Sequence, residues 1–428
     1  MRKILPWILV PLFTPTLAAM TAVGSAPYAA QPAAASGLEQ VFVFNGLDGA
    51  GLSHASEQPD SCRWYRYTNS FEDAVELPAA DITRTAAATT LGNLSADCGY
   101  YVEEAGQRHA VYVIDYRLHP CQYAGLVPVT EAEDITESLQ IIVSGCADDL
   151  SYRGLDGRRY YLSRRHRLRY TDVQWDASSL SYRPTEKILE REGYLSGISV
   201  DAPLDNTVFE LSGDQFADYF SLTGASVTAS YTAVKVVTHA QATVVEGERG
   251  ENEVGGGVSG LSGPAPLEVN FMSLASPAAT HTVWYIYTTP GSTDDYLYRN
   301  ETDISYTFSR AGTFTVKLKA SNAVSSDSAS FSVTVTESFL DCPNFFTPRS
   351  TPGENDEFRV AYRSLVKFHG RIMNRWGNVL FEWRDPSQGW DGTWHGRPVS
   401  PGVYFYVITA TGSDGVEYAR KGDINLLE

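Results

Sequence analysis

The chain has 428 residues, of which 12% are aromatic and 20% charged, with 25 Tyr and 35 Gly. That length exceeds one ordinary domain, and a tyrosine- and glycine-rich, sparsely charged composition favours β-rich globular modules over coiled coil or disorder. A formal charge of −18 would repel a phosphate backbone, which excludes general nucleic-acid binding.

Arg2 and Lys3 precede an apolar run from Ile4 to Phe13, and small residues follow through Ala35. This pattern predicts a secretory signal peptide over residues 1–35, with its cleavage point open between 19 and 35. The apolar core is too short to span a bilayer stably, and no later stretch approaches ~18 uninterrupted apolar residues, so a transmembrane mature chain is not expected. An exported chain meets an oxidising compartment, where cysteines pair by default. Cys62, Cys98, Cys121, Cys146 and Cys342 contain no C-x-x-C spacing. The preferred pairs are Cys62–Cys98 and Cys121–Cys146, each inside one domain, with Cys342 left over.

Residues 37–118 open with "VFVF" in period-2 alternation, followed by "SCRWYRYTNS", "LSADCGYYVEE" and "RHAVYVIDY". An early strand carrying Trp64 and a Tyr-rich strand entered through Asp97-Cys98-Gly99-Tyr100 resemble the C and F strands of an immunoglobulin-like sandwich. In such a fold Cys62 and Cys98 would lie close enough to pair. Residues 119–243 contain further strand-like runs and form a second β-rich domain, in which "TEKILEREGYL" reads as a short helix.

The stretch "GERGENEVGGGVSGLSG" is a charged, glycine-rich break with nothing to pack, and residues 244–260 read as a linker. Residues 261–337 then contain "APLEVNF", "YTFSRAGTFTVKLKASN" and "SVTVT", which resemble a PKD domain. That resemblance implies a core of Phe308, Phe314, Val316 and Leu318, Gly312 in a turn, and Asn322 tying a loop. The family's acidic W-D-F-G-D-G stretch is "WYIYTTPG" here, so no calcium loop is expected.

Residues 338–428 alternate through "LVKFHGRIM", "NVLFEW", "GVYFYVIT" and "EYARKGDINLL", separated by turn residues. The motifs "NRWGNVLFE", "WDGTWHGRPVSPGVYFYVI" and "KGDINLL" resemble the gliding-motility-associated C-terminal domain of Bacteroidetes, the type B sorting signal of type IX secretion. The resemblance implies export to the cell surface, the outer membrane or the medium, with the type IX machinery at the outer membrane as partner. Its motif residues here are Asn374, Arg375, Trp376, Gly377, Trp390, Asp391, Gly392, Gly402, Tyr404, Lys421, Gly422, Asp423, Ile424 and Leu426. "KGDINLLE" reads as an exposed terminal strand open to strand addition. The module order also resembles a Bacteroidetes surface protein linked to signalling that controls secretion.

Little in the sequence suggests catalysis. The eight His residues are scattered, with no H-E-x-x-H and no i, i+4 pair, and no G-x-S-x-G elbow occurs. No metal or other cofactor is expected. Cys342 is the sole candidate nucleophile, against a simpler reading as a surface or intermolecularly paired thiol. One basic feature breaks the acidic background: Arg158, Arg159, Arg164, Arg165, Arg167 and Arg169. On a strand, Arg165, Arg167 and Arg169 share a face, suited to phosphates of lipopolysaccharide or an acidic surface protein. The alternative is a solvated hairpin. The expected architecture is therefore all-β: tandem immunoglobulin-like and PKD-like β-sandwiches plus a small C-terminal β-sandwich. The expected role is a non-enzymatic surface protein, a regulator of secretion or alternatively an adhesin or spacer. An enzyme with its site in 119–243 is the remote alternative.

Overall fold

Along the strand Gln107–Asp115, Val111 and Val113 point to one side, while Ala110, Tyr112 and Ile114 point to the other, and all five are buried. A strand apolar on both faces must be covered on both. In the computed structural model, which describes residues 20–131, 136–246, 250–255, 259–350 and 353–427, that is what happens. The chain divides into two compact units, residues 1–172, 184–201 and 206–232, and residues 173–183, 202–205 and 233–428.

In the first unit, a six-stranded sheet runs in the order Tyr28–Ala30, Gln40–Phe44, Gln107–Asp115, Cys98–Glu104, Arg63–Tyr67, Val75–Glu76. It faces a four-stranded sheet of Met20–Val23, Gly51–Ala55, Ala88–Leu91 and Ile82–Arg84. Phe44, Leu52, Trp64, Tyr100 and Val102 fill the space between them, and the Trp64 indole donates to Thr89 Oγ1 at 3.0 Å. The apolar core of the expected signal peptide falls within residues 1–19, outside the described residues. Residues 20–30, however, are sandwich strands, so the sandwich starts earlier than residue 37. Met20–Val23 and Tyr28–Ala30 carry no alternation of their own, and only their partner strands reveal them.

The outer face of the six-stranded sheet is tyrosine-rich. Tyr67, Tyr101, Tyr112 and Tyr116 pack there with Leu150, Tyr152 and Phe216 of the following domain. Tyr67 Oη donates to the Arg153 carbonyl at 3.0 Å, and Tyr116 Oη to Asp214 Oδ1 at 3.0 Å. The first and second β-domains therefore share a core, with no free hinge at residue 118. The second has a three-stranded sheet, Gly125–Pro128, Ser138–Ser144 and Gly197–Asp201. Its four-stranded sheet runs Ser181–Glu192, Arg165–Asp176, Thr207–Gly213, Ser226–Tyr231. The segment read as a helix, "TEKILEREGYL", lies largely in the twelve-residue strand Ser181–Glu192. Cross-strand partners outweigh the helix propensity of its Glu, Lys and Leu residues.

In the second unit, Thr238–Val244, Leu267–Ala275 and Asp303–Phe308 form one sheet. A five-stranded sheet of Ser262–Gly263, Ser326–Val335, Gly312–Ser321, His281–Tyr287 and Tyr296–Arg299 accompanies it. Trp284, Phe308, Phe314, Val316 and Leu318 are core residues. Asn322 Nδ2 donates to the carbonyls of Val234 and Ala278, both at 2.9 Å. Because Thr238–Val244 pairs along its length with Leu267–Ala275, the glycine-rich segment is an insertion within this sandwich rather than a break before it. Nor are its residues Glu251 and Asn252 unpacked: Asn252 Nδ2 donates to the carbonyls of Val360 and Pro386, and Glu251 pairs with Arg359 at 3.0 Å.

The last domain has a five-stranded sheet ordered Phe345–Phe346, Glu417–Leu426, Gly402–Gly412, Leu365–Met373, Val379–Trp383, with Phe339–Asp341 paired to Ala361–Arg363 and a hairpin of Thr393–Trp394 with Arg397–Pro398. Its core holds Phe346, Phe358, Ile372, Trp383, Trp390, Ile408, Ile424 and Leu426.

Candidate functional site

Asn374 to Gly377 make the turn between Leu365–Met373 and Val379–Trp383. Asn374 Oδ1 accepts from the backbone N–H groups of Trp376 and Asn378, both at 3.0 Å, and Gly377 takes a φ of 85° that a side chain would resist. The tight turn leaves Trp376 71% exposed, with the Arg375 guanidinium carbon 4.3 Å from its ring centroid. Beside it runs the start of Gly402–Gly412, where Val403 and Phe405 point outward, with Trp394 on a neighbouring hairpin. Together with Leu380, these side chains line a groove of about 610 Å³.

The remaining motif residues build rather than present this surface. Trp390 is fully buried, stacks edge-on against Tyr404 at 5.2 Å, and donates from Nε1 to the Thr393 carbonyl at 2.8 Å. Asp391 Oδ1 accepts from the Thr393 N–H and hydroxyl, while Tyr404 Oη donates to the Ser400 carbonyl at 2.7 Å. Gly392, at φ 75°, leaves room for Leu426, and Gly402 opens its strand at φ 151°. On the last strand Ile424 and Leu426 are core, and Gly422 lies under the Tyr406 ring. Lys421 and Asp423 are exposed.

The terminal strand is thus less open than expected. Phe345–Phe346 covers its end by parallel pairing with Asn425 and Leu426, and Gly402–Gly412 covers its other side. Sequence reading missed Trp394, Val403 and Phe405. A signal was present: in "GVYFYVIT" both alternating sets are apolar, and one set, Val403, Phe405 and Val407, stays 50%, 41% and 43% exposed.

The arginine cluster divides. Arg165, Arg167 and Arg169 do share a strand face, but each meets a glutamate of the adjacent strand: Glu192 at 2.9 Å, Glu190 at 3.7 Å and Glu186 at 3.7 Å. Arg164 is buried, ion-paired to Asp214, and donates to the Asp148 and His119 carbonyls. Arg158 pairs with Asp156 at 3.6 Å, and Arg159 is exposed on a separate hairpin strand. The ladder is charge-balanced within its own sheet, by pairs that are partly exposed.

All five cysteines are thiols. Arg63 faces Glu103 and Tyr67 faces Gly99, so Cys62 and Cys98 lie at opposite ends of neighbouring antiparallel strands. Six residues of strand separate them, about 20 Å, whereas a disulfide needs Cα atoms within about 7 Å. Cys121 and Cys146 sit on adjacent segments, and Cys146 Sγ lies 3.8 Å from His166 Nε2. Cys342 packs against the last core, and burial pushes its thiol up to about 11, unlike an activated nucleophile.

Comparison with known proteins agrees with the modular reading. Residues 340–426 match the CHU_C type IX secretion signal domain, residues 256–335 the PKD domain, and residues 128–229 a fibronectin type III domain. Among solved structures, the chain is similar to the FN1–FN3 domains of chicken CNTN1 at 11% identity, covering 72% of this chain and 100% of that one, with a TM-score of 0.25. It is also similar to a Ca²⁺-stabilised adhesin that helps an Antarctic bacterium bind ice, at 10% identity, 88% and 93% coverage, and a TM-score of 0.20. No curated protein matches. Among the described residues no helix is long and apolar enough to cross a membrane. The chain is a type IX secretion substrate with a PKD domain, exported to the cell surface or the extracellular space.

Proposed function

We propose that this type IX substrate is a non-enzymatic surface protein whose sorting domain is read through the groove between Trp376, Trp394 and Phe405. The observation that carries the reading is the exposure of Trp376 on a turn braced by Asn374. Exposed aromatics beside an arginine have the character of binding anchors, because they bury much apolar area at little entropic cost. The occupant is the outer-membrane secretion machinery.

The combined change Trp376→Ala and Phe405→Ala tests this. The expected result is a folded protein retained in the periplasm, shielded from protease added to whole cells. Normal surface display of the double variant would overturn the assignment.

Once exported, the three upstream sandwiches act by contact with protein or glycan, and the recognised domain types are ones that commonly bind or space rather than catalyse. The resemblance in module order to the PorA type supports a role in signalling that controls secretion. Deleting the gene should then lower export of other type IX cargo, while unchanged cargo levels would point to an adhesin or spacer.

A further inference from the structure

Period-2 alternation along Gly51–Ala55 points Leu52 into the first sandwich, and the same period places His54 there too. His54 is 2% exposed, in a position where an apolar residue would ordinarily sit. It comes from the four-stranded sheet. From the facing sheet come Cys62, 1% exposed, and Glu104, whose side chain keeps 22% exposure. Cys62 and Glu104 meet because their strands pair with Arg63 opposite Glu103. One donor atom from each of His54, Cys62 and Glu104 lies within 4.8 Å of the others.

We propose that His54 Nε2, Cys62 Sγ and the Glu104 carboxylate form a binding site for a zinc-class divalent ion at one end of the N-terminal sandwich. An imidazole, a thiolate and a carboxylate suit a borderline ion, whereas calcium and magnesium prefer all-oxygen cages. Around a tetrahedral zinc the donor atoms stand about 3.3–3.6 Å apart, so separations of up to 4.8 Å close by about 1 Å while the 2.8 Å His54–Glu104 contact opens by about 0.5 Å. Binding releases the Cys62 thiol proton to solvent, and the proton that His54 Nε2 shares with Glu104 must move to Nδ1 or to solvent before Nε2 can ligate. Three protein ligands leave one position for water, reached past the partly exposed Glu104.

The surroundings have the features of a supporting shell. Glu104 Oε2 lies 2.8 Å from His54 Nε2, and its second oxygen accepts from the Ser56 hydroxyl. The His109 ring lies 4.9 Å from that of His54, and its Nδ1 pairs with Glu39 Oε1 at 2.6 Å. The Ser56 contact orients the Glu104 carboxylate. Cys62 is also out of reach of Cys98, which stands at the other end of the paired strands. The ion would tie the two sheets together where their strands end.

The test uses the mature, chelator-stripped protein, titrated with Zn²⁺ by calorimetry and with Co²⁺ by absorption. One equivalent should bind, Co²⁺ should produce a thiolate charge-transfer band, and Zn²⁺ should raise the melting temperature. Cys62→Ser should abolish the band, while Cys98→Ser should keep it. Glu104→Gln, at the partly exposed ligand, should weaken Zn²⁺ binding at least about tenfold while leaving the metal-free fold intact. No stoichiometric binding by the wild type, or an undiminished band in Cys62→Ser, would show that the cluster is only a hydrogen-bonded brace.

Discussion

Met20 lies directly opposite His54 in the antiparallel pairing of Met20–Val23 with Gly51–Ala55, and its side chain is fully buried. Signal-peptide processing past Val23 would remove a sandwich strand. The mature N-terminus is therefore expected at or before Met20, and N-terminal sequencing of the exported protein reads it directly. A start at Pro27 or beyond would contradict the pairing.

Trp390 and Trp376 should separate in their effects. Trp390→Ala empties a fully buried site and should cost about 3–5 kcal/mol, seen as a large fall in denaturation midpoint. Trp376→Ala removes an exposed ring and should change stability by no more than about 0.5 kcal/mol. If both variants lose stability equally, Trp376 is not the surface residue described here.

Replacing Arg165, Arg167 and Arg169 with Ser should leave binding to phosphate-bearing lipopolysaccharide unchanged, because their charges are met by Glu192, Glu190 and Glu186. The stability loss should be small, ~0.2–1 kcal/mol per exposed pair. A binding assay in which the wild type holds lipopolysaccharide and the triple variant releases it would restore the phosphate reading.

Asn252→Ala deletes two donors to the carbonyls of Val360 and Pro386. The expected cost is ~1–3 kcal/mol, with faster proteolysis within residues 250–255. Equal cleavage of the wild type and the variant at these residues would indicate a free linker after all.

Much of the fold was legible locally. Alternation and turn residues identified the strands of the last domain, and Trp284, Phe308, Phe314, Val316 and Leu318 fill the core that the PKD resemblance implied. The helix reading of "TEKILEREGYL" failed because Glu, Lys and Leu suit a helix, while the competing stabilisation comes from a partner strand remote in sequence. The glycine-rich segment read as a linker because nothing in it demands packing. What holds residues 250–254 is a side chain and backbone more than a hundred residues away.

The sequence alone determined the all-β architecture, the export route and the sorting domain, since each is written in short-range periodicity or in contiguous motifs. Tertiary structure decided which motif tryptophan is core and which is surface, that the arginine ladder is balanced by glutamates, and that Cys62 meets His54 and Glu104 rather than Cys98. Those outcomes depend on strand register and sheet facing. Register couples residues far apart along the chain, and no local pattern encodes which strand will lie beside which.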